Sequence, residues 1–188
     1  IVENYEEIKE MLSLKGFKFQ SDTDTEVIAN LIQSNFDELE DVEQTIIKTV
    51  SELKGHFAFV VIFEDGTLAA ARFHEPLIVG IGKNSHYLSS DVLGFIEKTD
   101  DVVYLDNEDF VIINQNGLSI SKFDGSKAEY QITKVSKEFA DVYKGDYAHF
   151  TLKEISEQSS TIIKAGNDER IEDVINLISK AKNLYIPG

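Results

Sequence analysis

The hydrophobic period of this chain changes near residue 55 from that of helices to that of strands, and this change limits the folds it can adopt. Before residue 55, apolar residues recur every three or four positions, which predicts amphipathic helices. After it, short apolar runs are separated by the turn signals Asp65-Gly66 and Asn116-Gly117, which predict β-hairpins. This order predicts an α+β fold, in which helices lie on one side of an antiparallel sheet.

Three helices are predicted in the first part of the chain, over residues 4–16, 24–36 and 41–54, and the first and third end at Gly16 and Gly55. Asn4 and Glu7 have the spacing of a capping box for the first helix. A short strand is predicted over residues 17–19, and a short helix around residues 91–98 is expected to interrupt the later strands.

The polar stretch "SDTDTE" before the second helix has two explanations. Thr23 and Glu26 have capping-box spacing, and Asp24 would then lie in the first turn, where a carboxylate favours the positive end of the helix dipole. Capping therefore explains the stretch without any ligand. The alternative is that one of its carboxylates binds a ligand.

The segment "HFAFVVIFEDGTLAAARF" is predicted to form two strands, and the first run is nearly all apolar, which predicts that both faces of that strand are buried. Later in the chain, residues 152–166 regain a helical period. A last amphipathic helix is predicted from Asp168, its N-cap, to residue 183, and "LYIPG" is typical of a further strand.

Composition excludes several classes of function. The net charge of −16 makes nucleic acid and anionic membranes poor partners and fits a cytoplasmic protein. Because the chain has no cysteine, disulfides, thiolate metal sites and a cysteine nucleophile are excluded within it. No apolar stretch approaches the roughly 18 residues of a membrane span.

Three other candidate motifs are better explained by structural roles than by ligand binding. The four histidines lack the helical spacing of metal ligands, so no metal site is expected at His56, His74, His86 or His149. "GIGKNS" lacks the full phosphate-loop spacing and leads into a strand, which indicates a hairpin turn. In "SSD", Ser90 or Asp91 is expected to cap the following helix.

Five segments taken together resemble the glutamine–fructose-6-phosphate aminotransferases, and the similarity runs essentially from end to end. The most specific are "ENY" followed by "SDTDTEVI", the run "R…PLIVGIG…SD", and "KEISEQ". The resemblance implies a two-part enzyme. A glutaminase domain of the N-terminal-nucleophile type hydrolyses glutamine, and the ammonia passes to a sugar-isomerase domain that makes glucosamine 6-phosphate from fructose 6-phosphate.

The resemblance also implies which parts of the site this chain would hold. The family's nucleophilic cysteine, substrate-binding arginine and oxyanion asparagine–glycine pair would precede the Ile1-Val2-Glu3-Asn4 motif, so we expect a fragment that is inactive alone. Asp24 matches the residue that binds the α-ammonium group of glutamine. We expect no catalytic residue, cofactor or metal ligand in the chain.

The expected fold is part of the αββα sandwich of class II glutamine amidotransferases, without its N-terminal strands. The predicted domains are a partial amidotransferase domain over residues 1–145, a helical linker over 146–183 and the start of the isomerase domain over 184–188. Because the missing strands would leave apolar sheet surface uncovered, we expect a homodimer or a rearranged sheet edge.

Two other functions remain open at this point. Amidophosphoribosyltransferase has a related glutaminase half with a similar helix start, although "KEISEQ" favours the sugar isomerase. A non-catalytic assembly module that kept the fold is the third possibility, because the chain lacks a nucleophile.

Overall fold

Three helices, eight strands and two further helices follow one another in a computed structural model that describes residues 1–136, 147–167 and 171–183. The helices are α1 (Tyr5–Leu14), α2 (Glu26–Leu39), α3 (Val42–Glu52), α4 (Phe150–Gly166) and α5 (Ile171–Lys180). The strands are β1 (Phe57–Ile62), β2 (Leu68–Phe73), β3 (Ile78–Ile81), β4 (His86–Ser89), β5 (Asp101–Tyr104), β6 (Asp109–Asn114), β7 (Gly117–Lys122) and β8 (Thr133–Lys134).

The chain divides into two units, Ile1–Lys137 and Glu138–Gly188. The first contains α1–α3 and all eight strands, and the second contains α4 and α5. In the second unit both helices are amphipathic, and apolar residues such as Ile162 and Leu177 are exposed. The predictions for Asp168 and for residues 184–188 lie outside the described residues.

Both sheets of the first unit are antiparallel and four-stranded. Sheet I has the strand order β1-β2-β6-β7 and sheet II the order β4-β3-β5-β8. The predicted hairpins at Asp65-Gly66 and Asn116-Gly117 connect β1 to β2 and β6 to β7. The turn in "GIGKNS" connects β3 to β4, as predicted, and Gly82 N–H donates to Ser85 C=O at 2.9 Å.

Successive side chains of each strand point to opposite faces of sheet I, and burial of both faces produces three layers. One face of sheet I packs on α1–α3 through Phe57, Phe59, Ala69, Ala71, Phe110 and Ile112. The opposite face packs on sheet II, where Ala70 and Val111 meet Val79 and Val103. Helices therefore cover one side of a pair of antiparallel sheets, which confirms the predicted α+β class.

β1 corrects one prediction about burial. It lies at the edge of sheet I, and only the face carrying Phe57 and Phe59 is buried. On its other face, Val60 is 50% exposed and Ile62 69% exposed. The apolar run predicts burial on both faces, but the buried cluster between the two sheets includes residues of β2, β6 and β7 and none of β1.

Residues of the run "R…PLIVGIG" have structural roles here. The Arg72 guanidinium donates to Glu75 C=O and to Leu105 C=O, both at 2.6 Å, and so ties the end of β2 to two loops. Gly80 lies under the Phe95 ring, where a Cβ would be 2.7 Å from ring carbons. A larger residue at position 80 would displace the aromatic ring that covers sheet II.

Two local predictions are wrong. Residues 17–19 form no strand, because no neighbouring strand pairs with them in the described part of the chain. The helix expected over residues 91–98 is reduced to a 3₁₀ turn, Val92–Gly94. Its predicted cap is confirmed, since Leu93 N–H donates to Asp91 Oδ1 at 2.8 Å.

Candidate substrate-binding site at Asp24

The loop before α2 does not form the predicted capping box. α2 begins at Glu26, so Asp24 precedes the helix by two residues instead of lying in its first turn. The Glu26 carboxylate reaches back to Gln20 and Ser21, and the Thr23 hydroxyl pairs with the Ser21 hydroxyl at 2.7 Å. The Asp24 carboxylate takes no part in these hydrogen bonds, so it is available for another role.

The Asp24 carboxylate is fixed by two donors. The backbone N–H of Val2 donates to Oδ2 at 2.6 Å, and the Thr25 hydroxyl donates to Oδ1 at 3.2 Å. A carboxylate oxygen can accept two hydrogen bonds. Oδ1, which receives the longer bond, retains capacity for a further donor such as an ammonium group.

Val2 is held in place because its neighbours Glu3 and Asn4 bind the backbone at the end of α3. Glu3 N–H donates to Lys54 C=O at 2.8 Å. The Asn4 side chain does not cap α1, contrary to the capping-box prediction; its amide donates to Glu52 C=O and accepts from Lys54 N–H, both at 2.9 Å. The Val2 side chain is buried, so the donor that orients Asp24 belongs to the core.

Asp24 is ionised at neutral pH. The Val2 N–H is the main cause that lowers the pKa of Asp24, burial opposes it, and the Thr25 hydroxyl lowers the pKa further. The pKa of Tyr5 is raised, chiefly by the bond to Glu6 and the charge of Glu6, with smaller contributions from Asp24 and Asp22. Asp24 therefore presents a negatively charged carboxylate, which can bind a cation.

Asp24→Asn should remove part of the pH dependence of stability. Because the pKa of Asp24 is lower in the folded chain, its ionised form stabilises the fold above the ordinary aspartate pKa of about 3.9. This stabilisation is lost as the pH falls through the folded-state pKa. We expect the urea midpoints of wild type and Asp24→Asn to differ at pH 7 and to converge near pH 2.

Asp22→Asn is the matched control for this experiment, since Asp22 is exposed in the same loop. Its urea midpoint should follow the wild type at both pH values. If Asp24→Asn and the wild type differ by the same amount at both pH values, Asp24 does not contribute this pH dependence.

Two concave surfaces of the first unit lie away from Asp24. One, of about 580 Å³, is lined by the hairpin residues Asp65, Thr67 and Asn116 among others. The other, of about 620 Å³, is a groove between α2 and β1 that includes Phe36 and Ile62. Asp24 lines neither of these two surfaces, and it is partly buried in the loop before α2.

The histidines do not assemble a metal site. His56 and His74 lie side by side with ring centroids 4.7 Å apart, which the sequence did not predict. Within the described residues, no group of three or more His, Asp or Glu side chains could hold a metal ion.

The partner of Asp24 and the contacts that hold it could not be predicted from the sequence. Val2 and Asn4 belong to a motif that carried the resemblance, yet nothing in their spacing indicated contacts with residues 24 and 52–54. These bonds span 22 to 50 positions of sequence, so local patterns could not reveal them.

A family model for the glutamine amidotransferase domain matches residues 1–96. Several curated relatives are named glutamine–fructose-6-phosphate aminotransferase. One of them, from Fusobacterium nucleatum, is 38% identical, and the match covers 89% of this chain and 28% of the relative. Another, from Thermococcus kodakarensis, is 37% identical over 95% of this chain and 31% of the relative. A third, from Pyrococcus horikoshii, is 36% identical over 100% of this chain and 32% of the relative. The chain thus spans about a third of the length of these relatives.

Solved structures support the same fold. Glutamine phosphoribosylpyrophosphate amidotransferase from B. subtilis, complexed with ADP and GMP, is 27% identical with a TM-score of 0.55, over 65% of this chain and 27% of that chain. A structure described as the allosteric regulatory enzyme of purine biosynthesis matches equally well, over 26% of its chain. The fold is therefore part of the class II glutamine amidotransferase sandwich, as expected. No helix in the described ranges has the length and apolar character needed to cross a membrane.

Proposed function

Because the chain belongs to the family of glutamine amidotransferase domains, we propose that it is part of a glutamine–fructose-6-phosphate aminotransferase. This enzyme would hydrolyse glutamine and use the ammonia to convert fructose 6-phosphate into glucosamine 6-phosphate. The names of relatives at 36 to 38% identity support this assignment. The acidic composition supports a cytoplasmic location.

Within that enzyme, the role of this chain is to bind the amino-acid end of glutamine. The observation that carries the proposal is the ionised Asp24 carboxylate, which Val2 N–H orients at 2.6 Å and which retains a free acceptor position. A carboxylate and an ammonium group form charge-assisted hydrogen bonds, which are about twice as strong as neutral ones. Asp24 would thus fix one end of glutamine while chemistry occurs at the other.

The chain would not perform the chemistry itself. The resemblance implies acyl transfer through a thioester, with a cysteine as the nucleophile. The 188 residues contain no cysteine, so the nucleophile would come from outside them. Purified residues 1–188 should release no ammonia from glutamine.

The assay that tests the proposal uses the full-length gene product with glutamine and fructose 6-phosphate. We expect formation of glucosamine 6-phosphate together with glutamate. In a parallel assay with phosphoribosyl diphosphate, formation of phosphoribosylamine would instead support an amidophosphoribosyltransferase. A solved structure of such an enzyme is similar to this chain at 27% identity, below the 36 to 38% of the curated relatives. Failure to hydrolyse glutamine under any condition would support a non-catalytic module.

We also propose that the isolated chain forms a homodimer through the exposed face of β1. Val60 and Ile62 lie there beside a strand edge with which no other described strand pairs, and exposed apolar edge strands associate. Replacing both with lysine should convert a dimer of residues 1–188 into a monomer, measured by light scattering. Leu14→Lys is the matched control, since Leu14 is 86% exposed at the end of α1. A wild-type chain that is monomeric at high concentration contradicts the proposal.

A further inference from the structure

The loop that carries Asp24 is held closed by one side chain, Glu26. The Glu26 carboxylate accepts three hydrogen bonds: Gln20 N–H at 2.7 Å, Ser21 N–H at 2.8 Å and the Ser21 hydroxyl at 2.7 Å. Both backbone donors precede Asp24, and Glu26 follows it. The side chain therefore ties together the two ends of the segment in which Asp24 lies.

Ser21 extends this link toward Asp24. Its hydroxyl pairs with the Thr23 hydroxyl at 2.7 Å, and Thr23 N–H approaches the same Ser21 oxygen at 3.3 Å. A continuous set of bonds thus runs from Glu26 through Ser21 to Thr23, the residue next to Asp24. On the other side, Val27 N–H donates to Asp24 C=O at 3.3 Å, which joins Asp24 to the start of α2.

These bonds require the carboxylate form of Glu26. The Gln20 N–H is the main cause that lowers the pKa of Glu26, followed by the Ser21 hydroxyl and N–H, so Glu26 is ionised at neutral pH. The two backbone donors point to different carboxylate oxygens. A glutamine side chain would place an NH₂ group against one of them, and a donor facing a donor leaves that bond unmade.

We propose that Glu26 is a positioning residue for glutamine recognition, which holds the loop so that Asp24 faces the substrate ammonium group. The inference rests on the proposed role of Asp24 and deepens it. Glu26 does not touch the substrate, and it acts through the geometry of residues 20–25. Asp24 stays in contact with Val2 N–H only while that loop keeps its closed shape.

The test compares two inhibitors of glutamine hydrolysis by the full-length protein. Glutamate carries an α-ammonium group and glutarate lacks it, so the ratio of their inhibition constants reports recognition of the ammonium group. A hydrogen bond to a charged group contributes about 1.5–3 kcal/mol, so wild type should prefer glutamate by about ten- to a hundredfold. A role of Glu26 in folding alone would lower the amount of active protein without changing this ratio.

Glu26→Gln should reduce the preference for glutamate by a factor of about ten, which would bring a tenfold preference close to one. A loss of this size is expected if the hydrogen bond between Asp24 and the ammonium group is weakened. Ser21→Ala removes the hydroxyl that links Glu26 to Thr23 and should reduce the preference by a smaller factor, and it decides the question if Glu26→Gln does not fold. Glu38→Gln is the matched control, because Glu38 lies on the same helix and pairs with Lys48 instead. It should keep the wild-type ratio.

Asp24→Asn distinguishes the proposed binding role of Asp24 from the proposed positioning role of Glu26. If Asp24→Asn abolishes the preference for glutamate while Glu26→Gln and Ser21→Ala keep it, the positioning role is wrong and the role of Asp24 stands. If Asp24→Asn keeps the preference, both are overturned. Loss of the preference in Asp24→Asn and in Glu26→Gln, with Glu38→Gln unchanged, is the result expected.

Discussion

Asp24→Asn in the full-length enzyme is expected to raise the KM for glutamine by about ten- to a hundredfold, with a smaller change in kcat. The estimate follows from the loss of one hydrogen bond between charged groups, worth about 1.5–3 kcal/mol. The ammonium group lies away from the amide that reacts, so Asp24 should bind substrate and transition state about equally. Such a loss raises KM more than it lowers kcat.

Asparagine is the informative replacement because it removes the charge and keeps the shape. Its side-chain oxygen can still accept from Val2 N–H, which in wild type donates to Oδ2 at 2.6 Å. Steady-state kinetics with glutamine as the varied substrate measures the effect. Asp22→Asn removes an exposed charge from the same loop and should leave KM unchanged. A KM for Asp24→Asn close to wild type would mean that Asp24 does not bind the substrate.

Gly55→Ala is expected to lower the free energy of unfolding by about 3 kcal/mol or more, which combines backbone strain with steric overlap. Gly55 has φ +114°, a conformation that residues with a Cβ rarely adopt. A Cβ there would overlap Ile1 C=O and lie 3.0 Å from Glu3 N. The backbone of Ile1 and Glu3 would have to move, and this would break the hydrogen bonds that pair residues 1–4 with residues 52–56.

Gly16→Ala is a close control for Gly55→Ala. Gly16 also has a positive φ, +94°, but no atom lies within 4 Å of an added Cβ. It should cost about 1 kcal/mol, the lower end for such strain. Chemical denaturation of both variants measures the difference between them, which is the cost of the overlap. Equal losses would show that residues 1–4 yield to the new side chain.

The same substitution should affect the site as well as stability. If Ile1 and Glu3 move, the Val2 N–H that orients Asp24 moves with them. We therefore expect Gly55→Ala to weaken glutamine binding in the full-length enzyme even where the variant stays folded. Gly16→Ala should not, because Gly16 ends α1 without contacting this segment.

The parts of the fold that the sequence predicted are those set by neighbouring residues. The two hairpins follow from Asp65-Gly66 and Asn116-Gly117, and α1 ends just before Gly16, close to the predicted position. Helix positions follow from the spacing of buried residues such as Leu31 and Ile46. In each case the periodicity or turn chemistry lies within a few positions of the chain.

The errors come from tertiary contacts that replace local ones. Asn4 and Glu26 fit helix-capping patterns, but Asn4 binds the backbone of residues 52–54 and Glu26 binds that of residues 20–21. Burial of β1 on both faces was wrong because composition does not reveal which strand lies at a sheet edge. The resemblance predicts that Asp24 binds the substrate, whereas the contact between Asp24 and Val2 is seen only in the structure.

A crystal structure of the full-length protein with glutamate bound would show whether Asp24 binds the ammonium group. We expect the α-nitrogen of glutamate at about 2.8 Å from an Asp24 carboxylate oxygen, the usual length of such a charge-assisted bond. Val2 N–H should still donate to the other oxygen. An α-nitrogen more than about 4 Å from both oxygens, beyond hydrogen-bonding distance, would contradict the proposed role of Asp24.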